Sequence, residues 1–174
     1  MINIRLATKS DIPEIRELMN LAIRELQKGF LTPEQIEASF AGMGLDTQLI
    51  EDRTYFCVCE DDTIVGCGGW SNRATLHGGN HSAGRDDRHL DPATERARIR
   101  AMYTHPNHTK RGIGRMIIEA GEKAARAEGF KALEMAATLA GVPFYEKCGY
   151  TIESEWEEVN GPVPVPLCTM VKTL

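Results

Sequence analysis

The residues from His108 to Arg115 form a basic loop punctuated by two glycines, and their order suits the binding of a phosphate group. The loop follows a β-type run that ends at Thr104 and leads directly into an apolar helical pattern. Such a unit directs several backbone N–H groups at one point, where the helix dipole is positive. Gly112 and Gly114 lack a Cβ atom, so a bulky anion could approach the main chain closely. These features predict a pyrophosphate-binding loop, with added positive charge from Lys110, Arg111 and Arg115.

Two other phosphate motifs do not match this loop. The P-loop order Gly-x-x-x-x-Gly-Lys-Ser/Thr is absent, and so is the three-glycine dinucleotide fingerprint near the start of the chain. The alternative interpretation is a tight strand-to-helix turn with solvated charges. A second segment further along the chain, described below, favours the functional interpretation.

The composition predicts one soluble domain of 174 residues with a buried core, since 42% of the residues are hydrophobic and 26% are charged. A net charge of −5 gives no general attraction to nucleic acid or to anionic membranes. No segment has the pattern of a signal peptide or of a membrane span. We therefore expect a cytoplasmic protein with neither a nucleic-acid nor a membrane partner.

The elements that must position the loop follow from apolar periodicity and from turn and cap residues. Helices are predicted over Asp11–Gln27 with Ser10 as the cap, from Thr32 to about Ala41, from the glycine loop to Gly129, and over Gly141–Lys147. Strands are predicted over Ile2–Ala7, Tyr55–Cys59, Thr63–Trp70, Arg96–Thr104, Lys131–Ala136, Tyr150–Glu157 and Leu167–Lys172. Residues 71–95 are rich in glycine, histidine and acidic residues and are predicted to form a long loop insertion. This order predicts a single-domain α/β fold with a mixed central sheet flanked by helices.

Five scattered cysteines, an odd number, argue against a disulfide framework. They are predicted to be small buried apolar residues: Cys57, Cys59, Cys67, Cys148 and Cys168. His77 and His81 lack a defined third ligand, so we expect no metal site.

Two segments together resemble the GNAT N-acetyltransferase superfamily. Arg98-Ile99-Arg100-Ala101-Met102-Tyr103-Thr104-His105-Pro106 with the loop Lys110-Arg111-Gly112-Ile113-Gly114 resembles motif A of that family. Val142-Pro143-Phe144-Tyr145-Glu146-Lys147-Cys148-Gly149-Tyr150 resembles its motif B. The order of elements also matches, so the resemblance covers essentially the whole chain and implies the GNAT fold and a transferase that uses acetyl-coenzyme A.

The resemblance implies that two parts of motif A bind different parts of acetyl-CoA. The backbone of Met102, Tyr103 and Thr104 would pair with the pantetheine amides of acetyl-CoA. The amides of the following loop would hold the pyrophosphate: Thr109, Lys110, Arg111, Gly112, Ile113, Gly114 and Arg115. Physical reasoning agrees, because an amide-bearing arm matches an exposed strand edge and a diphosphate matches a helix N-terminus.

The catalytic residue implied by the resemblance is Tyr145, which would lie near the thioester sulfur and protonate the departing thiolate. The alternative is that it is a packing aromatic, the role we assign to Phe144. The chain departs from the family at three positions. Thr109 stands where Gln or Arg is common, and Ala140 stands where Asn is common. Arg98 stands where many members have a Glu that acts as the base.

The general base and the acceptor-binding residues are left open by the sequence. Candidates for the base in the loop insertion are His77, His81, His89, Asp86, Asp87 and Glu95. Arg96, Arg98 and Arg100 alternate and so share one strand face, where they either pair with acidic residues or, for Arg98 and Arg100, bind an anionic group of the substrate.

The function predicted from these residues is transfer of an acetyl group from acetyl-CoA to a primary amine. Of the two substrate classes, a small molecule is favoured over a protein. No cysteine lies in a nucleophile motif, which favours direct attack in a ternary complex. The alternatives are a non-catalytic acyl-CoA sensor and an enzyme acting on a protein N-terminus or lysine. A homodimer is plausible from the resemblance.

Overall fold

The computed structural model describes residues 1–174, and its elements follow the predicted order with one addition. The strands are β1 Ile2–Leu6, β2 Tyr55–Glu60, β3 Thr63–Ser71, β4 Ala97–Thr104, β5 Ala132–Thr138, β6 Thr151–Glu158 and β7 Val165–Thr173. The helices are α1 Ile12–Leu26, α2 Pro33–Ser39, α3 Thr47–Glu51, α4 Ile113–Ala127 and α5 Val142–Lys147. The predicted α/β fold with a mixed sheet is confirmed, and the short helix α3 was not predicted.

The predicted capping residues can be compared with the observed starts of helices α2 and α1. At α2 the Thr32 hydroxyl accepts from the backbone N–H of Gln35 at 3.2 Å, and the Gln35 side chain accepts from Thr32 N at 3.0 Å, as the sequence predicted. The prediction of Ser10 as the cap of α1 was wrong. A 3₁₀ turn over Lys9–Asp11 precedes that helix, and its cap is Thr8, whose N–H donates to Asp11 at 2.7 Å.

The seven strands form one sheet in the order β1-β2-β3-β4-β5-β7-β6. Only β4 and β5 are parallel, and every other neighbouring pair is antiparallel. Strand β7 lies between β5 and β6, so the last strand of the chain is internal and β6 forms the edge. The two strands that carry motif A and lead to motif B are therefore neighbours at the middle of the sheet.

The core lies on both faces of this sheet because successive strand residues point to opposite sides. Cys57 belongs to a cluster with the buried face of α1, whereas the adjacent Val58 packs with Ile113 and Ile117 of α4. All five cysteines are buried and free, which confirms their predicted place in the core. No helix of the structure is both long and apolar enough to cross a membrane.

Residues 72–96 connect β3 to β4 and contain one isolated bridge, between Arg73 and His89. Polar contacts tie this connection to the rest of the protein. Arg73 donates to Asp52 at 2.7 Å, and Arg85 pairs with Asp46 at 3.0 Å. The predicted long loop is thus present, and it is anchored to the two residues that flank α3.

Candidate functional site

A cleft opens where the parallel strands β4 and β5 separate. They are paired only at Ala97 with Leu133 and at Arg98 with Glu134, and beyond these positions the facing edge of β4 has no strand partner. The space encloses about 730 Å³ and extends from the N-terminus of α4, past α5, to α1 and the end of β6. Because hydrogen bonding to β5 stops, the backbone groups of β4 from Ile99 onward face this cleft unpaired by a neighbouring strand.

A bulge in β4 shapes this open edge. Ala101 adopts a positive φ of 50°, and the register between β3 and β4 shifts at the same level. The buried hydroxyl of Tyr55 donates to the Ala101 carbonyl at 2.7 Å, and this hydrogen bond stabilises the bulge. Sequence reasoning missed this contact, because Tyr55 reads only as an apolar strand residue.

The residues predicted to hold the pantetheine arm follow the bulge. Met102, Tyr103 and Thr104 all line the cleft. The Tyr103 side chain is buried, and its hydroxyl accepts from Gly44 N at 3.2 Å, which joins β4 to the loop after α2. At Tyr103 the backbone is therefore the part available to a ligand, because its side chain is buried and hydrogen-bonded within the protein.

The glycine loop presents a run of free amides. None of the backbone N–H groups from Thr109 to Arg115 donates a hydrogen bond within the protein, and the first helical bond of α4 runs from Met116 N to Gly112 O at 3.1 Å. Lys110 and Gly112 have positive φ values of 61° and 80°, and alternation of left-handed with other backbone conformations is typical of loops whose amides bind anions. Seven consecutive donors at the positive end of a 15-residue helix form a site suited to an anion.

Some basic side chains of the loop line the cleft, and another makes an ion pair within the protein. Lys110 and Arg115 line the cleft. The Arg111 guanidinium instead pairs with Glu60 at 2.6 Å, at the β2–β3 turn, so this residue offers its backbone amide rather than its charge. The proposed reason for Gly114 also needs correction. A Cβ atom there would lie 2.8 Å from Cζ of Phe144, so this glycine permits α5 to pack on α4.

Tyr145 lines the cleft from the first turn of α5 and is half-buried. Its ring packs against Phe144 and Tyr150, with centroids 5.3 and 6.3 Å away, and its hydroxyl has no protein partner. Burial raises the pKa of the Tyr145 phenol, so the group is protonated at neutral pH and can donate a hydrogen bond. Gly141 makes room for this ring, since a Cβ atom there would lie 2.7 Å from Cε2 of Tyr145.

The two arginines predicted as substrate ligands lie outside the cleft lining. Arg98 pairs with Glu134 of β5, beside Arg96, which pairs with the same carboxylate at 3.3 Å. Arg100 is 2% exposed and pairs with Asp46 at 3.0 Å. Burial by itself raises the pKa of Asp46, but the contacts with Arg85 and Arg100 outweigh it and hold that pKa below its usual value. The geometry corresponds to the structural alternative, in which these arginines neutralise acidic partners.

His77 is the member of the base candidates that reaches the cleft. Its Nε2 lies 3.6 Å from Oε2 of Glu158, at the end of β6, and its ring packs on Trp156 with centroids 5.2 Å apart. The other candidates are engaged elsewhere: His81 contacts Phe40 O, Glu95 pairs with Arg88, and His89, Asp86 and Asp87 lie outside the cleft lining. Glu158 had no signal in the sequence, because β6 reads as an ordinary acidic edge strand.

The fold and site define a class of proteins: α/β domains whose sheet opens between two parallel strands, beside a helix N-terminus with free amides. The model of the acetyltransferase (GNAT) family matches residues 15–150, most of the chain, and the protein belongs to that family. This confirms the resemblance seen in the two motifs.

Curated and solved relatives agree with this assignment. A segment of 58 residues is 38% identical to the uncharacterized N-acetyltransferase YjcF of Bacillus subtilis; it is 33% of this chain and spans 41% of that relative. A GCN5-related N-acetyltransferase from Rhodopseudomonas palustris superposes with a TM-score of 0.73 at 23% identity, covering 99% of this chain and 95% of that one. The YncA protein of Salmonella typhimurium, solved with acetyl-CoA, superposes at 0.69 and 19% identity, covering 100% and 94%. At these identities the solved structures establish the fold.

Proposed function

We propose that this protein transfers an acetyl group from acetyl-CoA to a primary amine of a small molecule. The observation that carries the proposal is the continuity of one cleft, which joins the open β4 edge, the free amides of residues 109–115 and the Tyr145 hydroxyl. The solved complex of YncA with acetyl-CoA, and that of the PaiA N-acetyltransferase of Thermoplasma acidophilum with coenzyme A, support this choice of donor.

Acetyl-CoA would lie along the cleft, with its pantetheine arm and its diphosphate bound by different kinds of interaction. The pantetheine arm is extended and carries amides, so it adds to the free edge of Met102–Thr104 as another strand would. The diphosphate accepts hydrogen bonds from the loop amides, with Lys110 and Arg115 supplying charge. A helix N-terminus and two cations offset the two negative charges of the diphosphate, which its four non-bridging oxygens share. The acetyl group then lies deeper in the cleft, toward α5.

Transfer would proceed by direct attack. The neutral amine nitrogen forms a bond to the acetyl carbon, the carbon–sulfur bond breaks, and the thiolate takes a proton from the Tyr145 hydroxyl. The proton that the nitrogen loses as the amide forms restores the Tyr145 hydroxyl. A covalent acyl-enzyme is disfavoured, because all five cysteines are buried and burial raises the pKa of Cys67 to about 12. Cys148, next to α5, also has its pKa raised by burial.

The test of donor binding uses calorimetric titration with acetyl-CoA and two matched variants. Gly112→Glu introduces a carboxylate among the free amides, and we expect the Kd to rise at least about tenfold from like-charge repulsion. Gly84→Glu is the control, because Gly84 has nearly the same backbone strain, with φ of 78° against 80°, and open space around it. Equal effects of both substitutions would show that the loop does not bind the pyrophosphate.

The test of transfer follows thiol release with a panel of amines. Tyr145→Phe should lower kcat by about a hundredfold or more and leave acetyl-CoA binding within about twofold, because only the proton donor is lost. Tight acetyl-CoA binding without turnover of any amine would favour the sensor instead of the enzyme.

A further inference from the structure

Positively and negatively charged side chains line opposite ends of the cleft. The cationic side chains in its lining, Lys110, Arg115 and Lys147, all belong to the glycine loop, the start of α4 and the end of α5. The only carboxylate in its lining is Glu158, which belongs to the far end near α1 and β7. Because the cationic end serves the diphosphate in the proposed function, the carboxylate belongs to the part that remains for the acceptor.

Glu158 is buried, with one carboxylate oxygen engaged and the other free for a ligand. Oε1 accepts from Asn160 N at 2.9 Å and from Asn160 Nδ2 at 2.6 Å, which fixes the side chain. Oε2 lies 3.6 Å from His77 Nε2 and has no hydrogen bond within 3.5 Å. A buried carboxylate whose second oxygen has no close donor is a strong acceptor for a charged donor from a ligand.

The ring of His77 is oriented by the protein. Its Nδ1 lies 3.3 Å from Gly42 O, and a carbonyl can only accept, so Nδ1 carries the proton in the neutral ring. The neutral ring therefore presents the Nε2 lone pair toward Glu158 Oε2. Two acceptors that face each other at this distance are both satisfied by one donor between them, and an ammonium group has three N–H donors.

Gln27 also belongs to the lining and is 3% exposed. The Ser39 hydroxyl donates to Ile36 O at 2.6 Å, so it must accept from Gln27 Nε2, which also bonds to Ile23 O at 3.2 Å. Both amide hydrogens are used, and Gln27 Oε1 is left buried without a partner. Because this oxygen is buried, it is not an open ligand contact, but its partial negative charge lies beside the end of the cleft that holds the carboxylate and favours a cation there.

The rest of this end is apolar, and no free cation is present to meet a substrate anion. Its lining includes Ile23, Leu26, Met43, Leu76, Val165 and Leu167. Arg98 and Arg100, the cations on the neighbouring strand face, are already paired with Glu134 and Asp46. A substrate carboxylate here would lack a positive partner and would lie in the same space as Glu158.

We propose that the acceptor is an apolar primary amine that carries a positive charge and no anionic group, and that Glu158 binds its ammonium group. This inference rests on the proposed function. The ammonium loses one proton to Nε2 of His77, and the resulting amine forms the bond to the acetyl carbon. As the carbon–sulfur bond breaks, the Tyr145 hydroxyl gives its proton to the thiolate, and the second proton from the nitrogen restores that hydroxyl. The products are a neutral amide, coenzyme A and one proton on His77.

The first experiment compares matched pairs of acceptors with acetyl-CoA at saturation. Phenethylamine and phenylalanine share an apolar body and differ by one carboxylate, and so do isoamylamine and leucine. We expect kcat/KM to be at least about a hundredfold higher for each amine than for its amino acid. Equal or faster acetylation of the amino acids would overturn this inference and leave acetyl transfer intact. Turnover of no amine would overturn the proposed function and the inference with it.

The second experiment removes the charge of Glu158 with Glu158→Gln, which keeps the shape and the oxygen that accepts from Asn160. We expect the KM for phenethylamine to rise at least about tenfold, with the KM and calorimetric Kd for acetyl-CoA unchanged. Glu157→Gln on the same strand is the control, because Glu157 is exposed and lies outside the cleft lining. An unchanged KM in Glu158→Gln, or an equal rise in the control, would overturn the assignment.

Discussion

Gly141→Ala tests whether the position of the Tyr145 ring limits the reaction. Gly141 has helical angles, φ −83° and ψ −25°, so alanine fits its backbone without strain. The new Cβ atom would lie 2.7 Å from Cε2 of Tyr145 and 3.3 Å from Oγ1 of Thr138. Ordinary carbon contacts begin near about 3.5 Å, so the ring must move by roughly 0.8 Å.

The expected consequence is a loss of turnover without a loss of donor binding. A displacement of about 1 Å in a reacting group can cost about a hundredfold, so we expect kcat to fall about 10- to 100-fold. The KM for acetyl-CoA should stay within about threefold, because the loop of residues 109–115 is untouched. Overpacking costs about 1–3 kcal/mol of folding free energy, and the change from glycine to alanine in a helical conformation returns about 1 kcal/mol.

The assay is steady-state thiol release, measured in a double-mutant cycle with Tyr145→Phe. If the alanine acts by moving the phenol hydroxyl, it should cost less than about threefold in the Tyr145→Phe background. A full loss in both backgrounds would refute this reasoning, and so would wild-type kcat in Gly141→Ala alone.

Three further predictions concern stability. Tyr55→Phe removes the hydroxyl that holds the β4 bulge, and we expect a loss of about 1–3 kcal/mol in urea unfolding with a higher KM for acetyl-CoA. Asp46→Ala leaves the buried Arg100 guanidinium without its carboxylate, and calorimetry should show a loss of about 3–5 kcal/mol. The hydrogen bonds from Arg5 lower the pKa of Asp11 from 3.8 to about 2, although burial opposes them. The unfolded chain therefore binds the proton first, so this stabilisation is complete above about pH 4 and is lost as the pH falls toward about 2. Asp11→Asn should weaken that acid dependence in pH-resolved unfolding.

Each of these predictions has a result that contradicts it. An unchanged KM in Tyr55→Phe would separate the bulge from donor binding. Wild-type stability of Asp46→Ala would mean that Arg100 finds another partner. An identical fall in the unfolding free energy below about pH 4 in Asp11→Asn would assign the acid sensitivity to other carboxylates.

The elements near each motif could be predicted from sequence because their signals are local. The capping box of Thr32 and Gln35 depends on residues three apart, and the glycine loop joins a strand to the helix that follows it directly. The glycine loop and motif B were enough to indicate the family, and they predicted a donor loop and a tyrosine, Tyr145, that the structure brings to one cleft. The helix α3 escaped prediction because five residues carry too short a period to be distinguished from a loop.

The tertiary structure decided which distant groups meet. The sequence could not show that β7 enters between β5 and β6, since sheet order depends on packing of whole strands. It placed the arginines of β4 on one face, and only the neighbouring elements revealed that Glu134 and Asp46 neutralise them. Likewise His77 and Glu158 belong to segments far apart in the chain, and each alone is an unremarkable polar residue. Their contact arises because the anchored β3–β4 loop and the end of β6 converge on one cleft, and contacts between remote segments leave no local pattern in the sequence.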